Sequence, residues 1–100
     1  MLPLIDKRDR APLFRTRLAQ AMAEQAVSQA ALARATRVDR STISALLSPG
    51  IRLPNAQLAA DCATALGVSC DWLLGVSDRP EPVENLLATS ISLTDAPRAL

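Results

Sequence analysis

The chain has no histidine, and it has only two cysteines and two aromatic residues among its 100 positions. Without histidine, catalysis by a Ser-His or Cys-His pair is excluded, and the commonest zinc ligand is missing. Cys62 and Cys70 stand eight positions apart with no further cysteine, so we expect no metal site and no other cofactor. Cys62 stands at helical spacing from Leu58 and Leu66, and Cys70 precedes Trp72 and Leu73, which favours buried free thiols in a reducing cytosol.

Long apolar runs are also missing. No segment approaches the length of a membrane span, and the N-terminus lacks the apolar core of a signal peptide. We therefore expect no membrane partner. The chain offers no convergent set of acid, base and nucleophile, so an enzyme is the weakest class of function for it.

The composition favours helices. The aromatic residues are Phe14 and Trp72, and the runs of valine, isoleucine and tyrosine typical of strands are absent before the C-terminal tail. The chain is 49% hydrophobic, and eighteen of its residues are alanine, which favours helices packed close together. We therefore predict one all-α domain followed by a tail.

Charge is distributed unevenly along the chain, although its net value is only +1. Residues 1–52 hold nine Lys and Arg against four Asp and Glu, whereas residues 53–100 hold two against six. A basic half beside an acidic half fits a protein that turns one side toward phosphate. The alternative is ordinary scatter of charge in a short chain.

The stretch from Ser28 to Leu47 predicts two short helices joined by a tight turn. Ser28 and Asp39 can cap their N-termini, and Val38 is the apolar residue that fills the angle of the turn. The outer face of the second helix is polar and free of acid, and it comprises Arg40, Ser41, Thr42, Ser44 and Ala45. Such a face can enter a DNA major groove. The alternative is a hairpin in a structural bundle, with its hydroxyl groups merely solvated.

A longer helix precedes this pair. It is expected to begin between Arg10 and Leu13 and to end near Gln25, because Pro12 is comfortable only in a first turn. Its predicted buried stripe comprises Phe14, Leu18, Ala21 and Met22.

A loop and two helices follow the pair. The loop carries a backbone N–H at Gly50 and a side chain at Arg52, both usable for phosphate. Asn55 is expected to cap the fourth helix, which ends at Gly67. The fifth helix is predicted to be short, to begin near Ser69 or Cys70, to end at Gly75 and to carry Trp72, Leu73 and Leu74.

These elements divide the chain into an arm (1–9), a five-helix domain (10–75) and a linker with a tail (76–100). Val83–Leu93 is the one candidate partner-binding segment of the tail, and Thr89–Leu93 alternates polar and apolar residues as an edge strand does. Thr94–Pro97 has the pattern of a helix start with three residues after it. This leaves open whether the native chain continues beyond Leu100.

The arrangement resembles the Cro and phage-repressor (XRE-type) family of helix-turn-helix regulators over roughly residues 13–75. The matching pieces are Ser28-Gln29 with Leu32-Ala33, then Ser41-Thr42-Ile43-Ser44, then Pro54-Asn55, and finally the run from Ala65 to Gly75, ALGVSCDWLLG. The resemblance implies a five-helix repressor-like fold with the helix-turn-helix at helices 2 and 3.

The resemblance also implies DNA-binding roles. Arg40, Ser41 and Ala45 match base-reading positions, and Ser44 would lie at the edge of the groove. The residues assigned to DNA phosphates are Ser28, Gln29, Arg37, Thr42, Gly50 and Arg52. Ser28 and Gln29 would use a helix N-terminus, which favours anions, and Gln29 would also brace Arg40 or its base pair.

The chain departs from the family pattern at three places. The family often has glycine where Arg37 stands, so a left-handed turn kept there would cost ~1–2 kcal/mol. An arginine and a glutamate that often pair in the family correspond here to Met22 and Leu47. The loop after the third helix carries an extra residue at Pro49, which shifts its expected phosphate contacts by a residue.

Three functions are compatible with the sequence. The first is a sequence-specific transcription regulator, in the simplest case a repressor, that binds a double-stranded DNA operator as a homodimer. The second is an antitoxin whose tail at Val83–Leu93 covers a toxin partner. The third is a structural bundle without DNA binding, against which the arginines of the helix pair argue.

The homodimer seam is expected in the C-terminal part, near Trp72, Leu73 and the tail. The fifth helix holds more large apolar groups than a thin five-helix core requires, and Thr89–Leu93 could pair with its own copy. The alternative places Trp72 wholly in the core of its own chain.

Overall fold

The computed structural model describes residues 6–50 and 52–82, which form five α-helices. They are α1 (Lys7–Gln25), α2 (Gln29–Thr36), α3 (Arg40–Leu46), α4 (Ala56–Leu66) and α5 (Cys70–Leu73). No strand occurs among the described residues, and the predicted all-α fold is confirmed. The segments predicted at Val83–Leu93 and Thr94–Pro97 lie outside the described residues.

Helix α1 begins earlier than the sequence predicted. Asp6 is the N-cap of this helix, and the Asp6 carboxylate accepts a hydrogen bond from the Arg8 backbone N–H at 2.8 Å. The same carboxylate forms an ion pair with the Arg8 guanidinium at 3.1 Å. These bonds hold the pKa of Asp6 below its usual value. The prediction of a start at Arg10–Leu13 is therefore wrong, and residues 7–9 are helix rather than arm. Pro12 lies in the second turn, where it removes one backbone hydrogen bond, and α1 nevertheless continues through it.

Three of the five helices end in the same local device, which we call the valine junction. Each ends in a residue with left-handed backbone, and the following valine donates its N–H to the carbonyl five positions back. The left-handed residues are Ala26, Arg37 and Gly67, with φ of 56°, 59° and 66°. The valines are Val27, Val38 and Val68, which donate over 2.9, 3.0 and 3.0 Å and pack against the core. The junction therefore closes one helix and turns the chain into the next.

The cap predictions hold at Ser28 and Asn55 and fail at Asp39, and Ser69, which was expected only near the start of α5, also caps its helix. Ser28, Asn55 and Ser69 accept backbone N–H bonds at 3.0, 2.8 and 3.3 Å from Ala31, Leu58 and Trp72. Asp39 occupies the N-cap position of α3, but its side chain makes no cap hydrogen bond. Its backbone carbonyl still accepts from the Thr42 N–H at 2.9 Å, so α3 starts without the predicted side-chain cap.

The core contains the buried faces of all five helices. The predicted stripe of α1 is buried, with Phe14, Leu18, Ala21 and Met22 between 0% and 7% exposed. Trp72 is 5% exposed and Leu73 is 0% exposed within the single chain. These two residues therefore belong to the core of their own chain, as the alternative for Trp72 held, and they offer little surface to a second copy. Among the described residues, the exposed large hydrophobic side chains are Leu53 and Val76.

Two arginines of α1 hold the C-terminal end of α5. The Arg17 guanidinium donates to the carbonyls of Trp72 at 2.5 Å and Ser77 at 3.0 Å, and its carbon lies 5.1 Å from the centroid of the Trp72 ring. Arg10 donates to the Leu74 carbonyl. The last carbonyls of a helix have no partner within it, so cationic donors there satisfy both hydrogen bonding and the helix dipole.

Residues 76–82, whose composition predicts a linker, lie against the helices, and we call them the strap. The Pro80 carbonyl accepts from the Ser69 N–H at 2.8 Å, next to the start of α5. The strap begins with a turn that resembles the valine junctions, since Gly75 has φ of 81° and the Val76 N–H donates to the Asp71 carbonyl at 2.7 Å. Here the valine is 61% exposed, unlike the other three.

We expect Arg17→Gln to lower the free energy of unfolding by about 1.5–3 kcal/mol, because hydrogen bonds from a charged donor to part-buried carbonyls are lost. Urea denaturation followed by the fluorescence of the single tryptophan measures this. The control is Asp78→Asn, which removes a fully exposed carboxylate 3.9 Å from Arg17 and should leave the midpoint unchanged. Equal losses in both variants would show that the ion pair, not the carbonyl contacts, anchors α5.

Candidate nucleic-acid interface

Helices α2 and α3 form a tight pair that turns one face inward and one outward. Leu32 and Ala33 of α2 and Ile43 and Leu46 of α3 are buried. Thr36 is a buried polar residue, and its hydroxyl donates to the Leu32 carbonyl at 2.8 Å, so the last turn of α2 needs no outside partner. The inward residues thus fix the pair on the core and leave the rest of α3 accessible.

The accessible face of α3 carries all the residues that the sequence marked for base contact. Arg40, Ser41 and Ser44 are exposed, and Thr42 and Ala45 are half-buried. Arg40 is the first residue of the helix, and no acidic residue lies in its first turn. The face therefore offers guanidinium and hydroxyl donors together with one small methyl group, which are suitable partners for base edges.

The N-terminus of α2 and the loop after α3 carry the remaining predicted phosphate ligands. Ser28 is exposed and Gln29, the first residue of α2, is half-buried. Gly50 and Arg52 are exposed in the loop, and Gly50 has φ of 80°. The loop begins at the C-terminal end of α3, where the Ser48 hydroxyl donates a hydrogen bond to the Ser44 carbonyl at 3.0 Å.

Arginines of this region differ from those elsewhere in what they contact. Within residues 6–50 and 52–82, the ion pairs join Arg8 to Asp6 and Arg17 to Asp78. The arginines exposed on or next to the helix pair are Arg34, Arg37, Arg40 and Arg52, and no carboxylate of the described residues pairs with them. Their charge is therefore available to an external anion such as a DNA phosphate.

Arg37 keeps the left-handed turn for which glycine is the usual residue. Its φ is 59° and its ψ is 40°, and its N–H donates to the Arg34 carbonyl at 3.3 Å. An L-residue in this conformation costs ~1–2 kcal/mol. The turn geometry is thus maintained with strain, and the exposed Arg37 side chain extends from the middle of the helix pair.

The second departure from the family pattern places apolar residues at the two positions where the family often has an arginine and a glutamate. Met22 is 7% exposed, and Leu47 is half-buried against the core. Hydrophobic packing therefore takes the place where the family often has an ion pair.

The structure adds one residue that the sequence did not connect with this surface. The Nη1 atom of Arg15 on α1 lies 3.5 Å from the Ser48 carbonyl oxygen, at the start of the loop after α3. The two residues are 33 positions apart. No local sequence pattern reports a contact of this kind, because it joins segments that are distant in the chain.

The cysteines take no part in the interface. Cys62 is buried and Cys70 half-buried, and both are free thiols. Burial raises the pKa of Cys62 to about 11, and it also raises the pKa of Cys70. The reactive thiolate form is therefore disfavoured at both cysteines. Within the described part of the chain, no three His, Cys, Asp or Glu side chains form a group that could hold a metal ion.

Comparison with known proteins gives one result. A family model described as helix-turn-helix matches residues 18–73, which is more than half of the chain and includes both helices of the pair. No curated protein and no solved structure matches the chain. Among the described helices, none has the length and apolar character needed to cross a membrane.

We expect Arg37→Gly to raise the free energy of unfolding by about 0.5–1 kcal/mol, because relief of left-handed strain exceeds the added chain entropy of glycine. Ala26→Gly, at the equivalent position of α1, should give a similar gain. Gly67→Ala should lower the free energy of unfolding by a similar amount. An added Cβ at this position meets nothing within 4 Å, so backbone strain is the term that changes. Urea titrations compare the three variants. A loss of stability in Arg37→Gly would mean that the arginine side chain stabilises the fold and that strain is not the main term.

Proposed function

The chain belongs to the XRE-type helix-turn-helix family of DNA-binding transcription regulators, and from this premise we propose that it binds a specific operator as a homodimer and represses transcription there. The observation that carries the proposal is the acid-free outer face of α3, which has Arg40 at its first position. A protein with this role acts on DNA in the cytoplasm and needs no cofactor.

In the proposed complex, α3 lies in the major groove and its exposed side chains read base edges. Arg40 donates two hydrogen bonds to O6 and N7 of a guanine, the commonest specific contact in such complexes. Ser41 and Ser44 bond to base or backbone at the edge of the groove, and the Ala45 methyl contacts a thymine methyl. Gln29 supports Arg40 from the first turn of α2.

Phosphate contacts surround this reading face and set its register without choosing sequence. Ser28 and Gln29 supply the N-terminal end of α2, where free N–H groups and the helix dipole favour an anion. Thr42 contacts phosphate from α3, while Gly50 and Arg52 do so from the loop. Arg37 contributes a cation at the turn, which gives its strained position a use beyond the fold.

Homodimerisation follows from the size of the reading face. One short recognition helix contacts only a few base pairs, too few to select a site in a genome, so two copies are needed. Two-fold symmetry would place the two α3 helices about 34–36 Å apart on a roughly palindromic site. Because Trp72 and Leu73 are buried in their own chain, the tail is the remaining sequence candidate for the seam.

Repression is the simplest regulatory outcome of such binding, since occupancy of a promoter alone can block transcription. The antitoxin alternative would use Val83–Leu93 to cover a toxin, and that segment lies outside the described residues. Co-purification of a small partner protein with the chain would favour the antitoxin.

Selection of bound sites from random DNA tests the proposed function, and Arg40→Ala tests the reading residue. The variant should lose ~1–3 kcal/mol on the selected site and relax preference at one base pair. Arg34→Ala removes an equal charge from an exposed position of α2 to which no base contact is assigned, and it should leave base preference unchanged. If Arg40→Ala weakens all sequences equally, the arginine contacts only phosphate. If the wild-type selection yields no enriched site, sequence-specific binding is wrong.

Sedimentation equilibrium tests the homodimer. We expect a concentration-dependent dimer for the full chain, and reduced association for a chain ending at residue 82, because the buried Trp72 cannot supply the seam. Binding to the selected palindrome and to its half-site gives the second measurement. A chain that stays monomeric at high concentration and binds both DNAs equally well would contradict the proposal.

A further inference from the structure

Three arginines of α1 donate to backbone carbonyls of later segments, but they differ in how fully they are engaged. Arg10 donates to the Leu74 carbonyl, and Arg17 donates to Trp72 and Ser77 and stacks on the Trp72 ring. Both are held by α5 and the strap. Arg15 has one contact, from Nη1 to the Ser48 carbonyl at 3.5 Å, which is the outer limit of a hydrogen bond.

The position of Arg15 distinguishes it further. Ser48 follows Leu47, the C-cap of α3, and begins the loop that carries Gly50 and Arg52. The Arg15 guanidinium therefore reaches from α1 to the point where the proposed reading helix passes into the proposed phosphate-binding loop. No carboxylate among residues 6–50 and 52–82 forms an ion pair with it.

The chemistry of the side chain suits an anion at that point. A guanidinium has five N–H donors in a planar fork that matches two oxygens of a phosphate. The contact to Ser48 uses one donor weakly, so the others are available. Arg15 is half-buried, so part of its side chain is held on the protein surface while the exposed contact at Ser48 remains open to solvent.

We propose that Arg15 is a further DNA-phosphate ligand, which binds a backbone phosphate next to the loop of Gly50 and Arg52. This inference rests on the proposed function, since it requires α3 to face DNA. It adds to the interface a residue from α1, outside the helix-turn-helix itself. A purely structural role, in which Arg15 only satisfies the C-terminal end of α3, is the competing explanation, and the two differ in their dependence on salt.

The test uses the full 100-residue chain and a mixed-sequence 30-base-pair DNA duplex, because a phosphate contact does not depend on sequence. Fluorescence anisotropy gives the dissociation constant of the wild type and of Arg15→Gln between 50 and 200 mM salt. Each phosphate contact contributes about 0.9 to the slope of log K against log salt. We therefore expect the ratio of wild-type to variant affinity to grow about 3.5-fold from 200 to 50 mM.

Two further variants make the result specific. Arg79→Gln removes the same charge from an exposed site in the strap, outside the helix pair and its loop, and its slope should equal that of the wild type. Arg15→Lys keeps a cation and should retain most of the slope. Urea denaturation of Arg15→Gln should match the wild type, because the lost bond is long and exposed.

The outcomes distinguish a failure of the proposed role of Arg15 from a failure of the proposed DNA-binding function. Wild-type binding with an unchanged slope in Arg15→Gln overturns the role of Arg15 and leaves the proposed function intact. A loss of stability in Arg15→Gln with an unchanged slope also overturns it, in favour of the structural role. Absence of wild-type binding to any duplex overturns the proposed function, and the role of Arg15 with it.

Discussion

The left-handed backbone at Arg37 is the constraint on which the proposed DNA-facing surface depends. It ends α2, brings the Val38 N–H onto the Ala33 carbonyl at 3.0 Å, and so sets where α3 begins. Glycine would adopt this conformation without strain, whereas arginine holds it at a cost of ~1–2 kcal/mol. The same strain occurs at Ala26, whose side chain carries no charge. Under the proposed function, Arg37 differs from Ala26 because the residue with the strained backbone also contacts a DNA phosphate.

Arginine performs two separate tasks in this chain, and this division explains how a net charge of +1 is compatible with an interface for DNA. Arg10 and Arg17 are turned onto carbonyls of α5 and the strap, where their charge stabilises the fold. The exposed arginines of the helix pair and its loop have no carboxylate partner among the described residues. Attraction to phosphate depends on this local excess and not on the sum over the chain.

Sequence patterns predict the local features of this molecule better than the distant ones. The caps at Ser28 and Asn55 and the stop at Gly67 depend on a few neighbouring residues, and all three predictions are confirmed. The early start of α1 was not predicted, because Pro12 is typical of a first turn, whereas the Asp6 side chain caps a helix that begins at Lys7. The burial of Trp72 and the contact of Arg15 with Ser48 arise from packing between distant segments, which no periodicity encodes. The assignment of individual residues to DNA remains a prediction.

The bond from the Ser69 N–H to the Pro80 carbonyl encloses α5 within a closed backbone loop. A helix of four residues cannot stand alone, because nucleating a helix costs more than its few bonds return. Helix α5 therefore depends on its burial in the core, on the arginines of α1 and on the strap. A protease cut within the strap would not merely trim the domain. It would weaken the hold of the Pro80 carbonyl and of the Ser77–Arg17 contact on α5, so the stability of the domain depends on residues beyond its last helix.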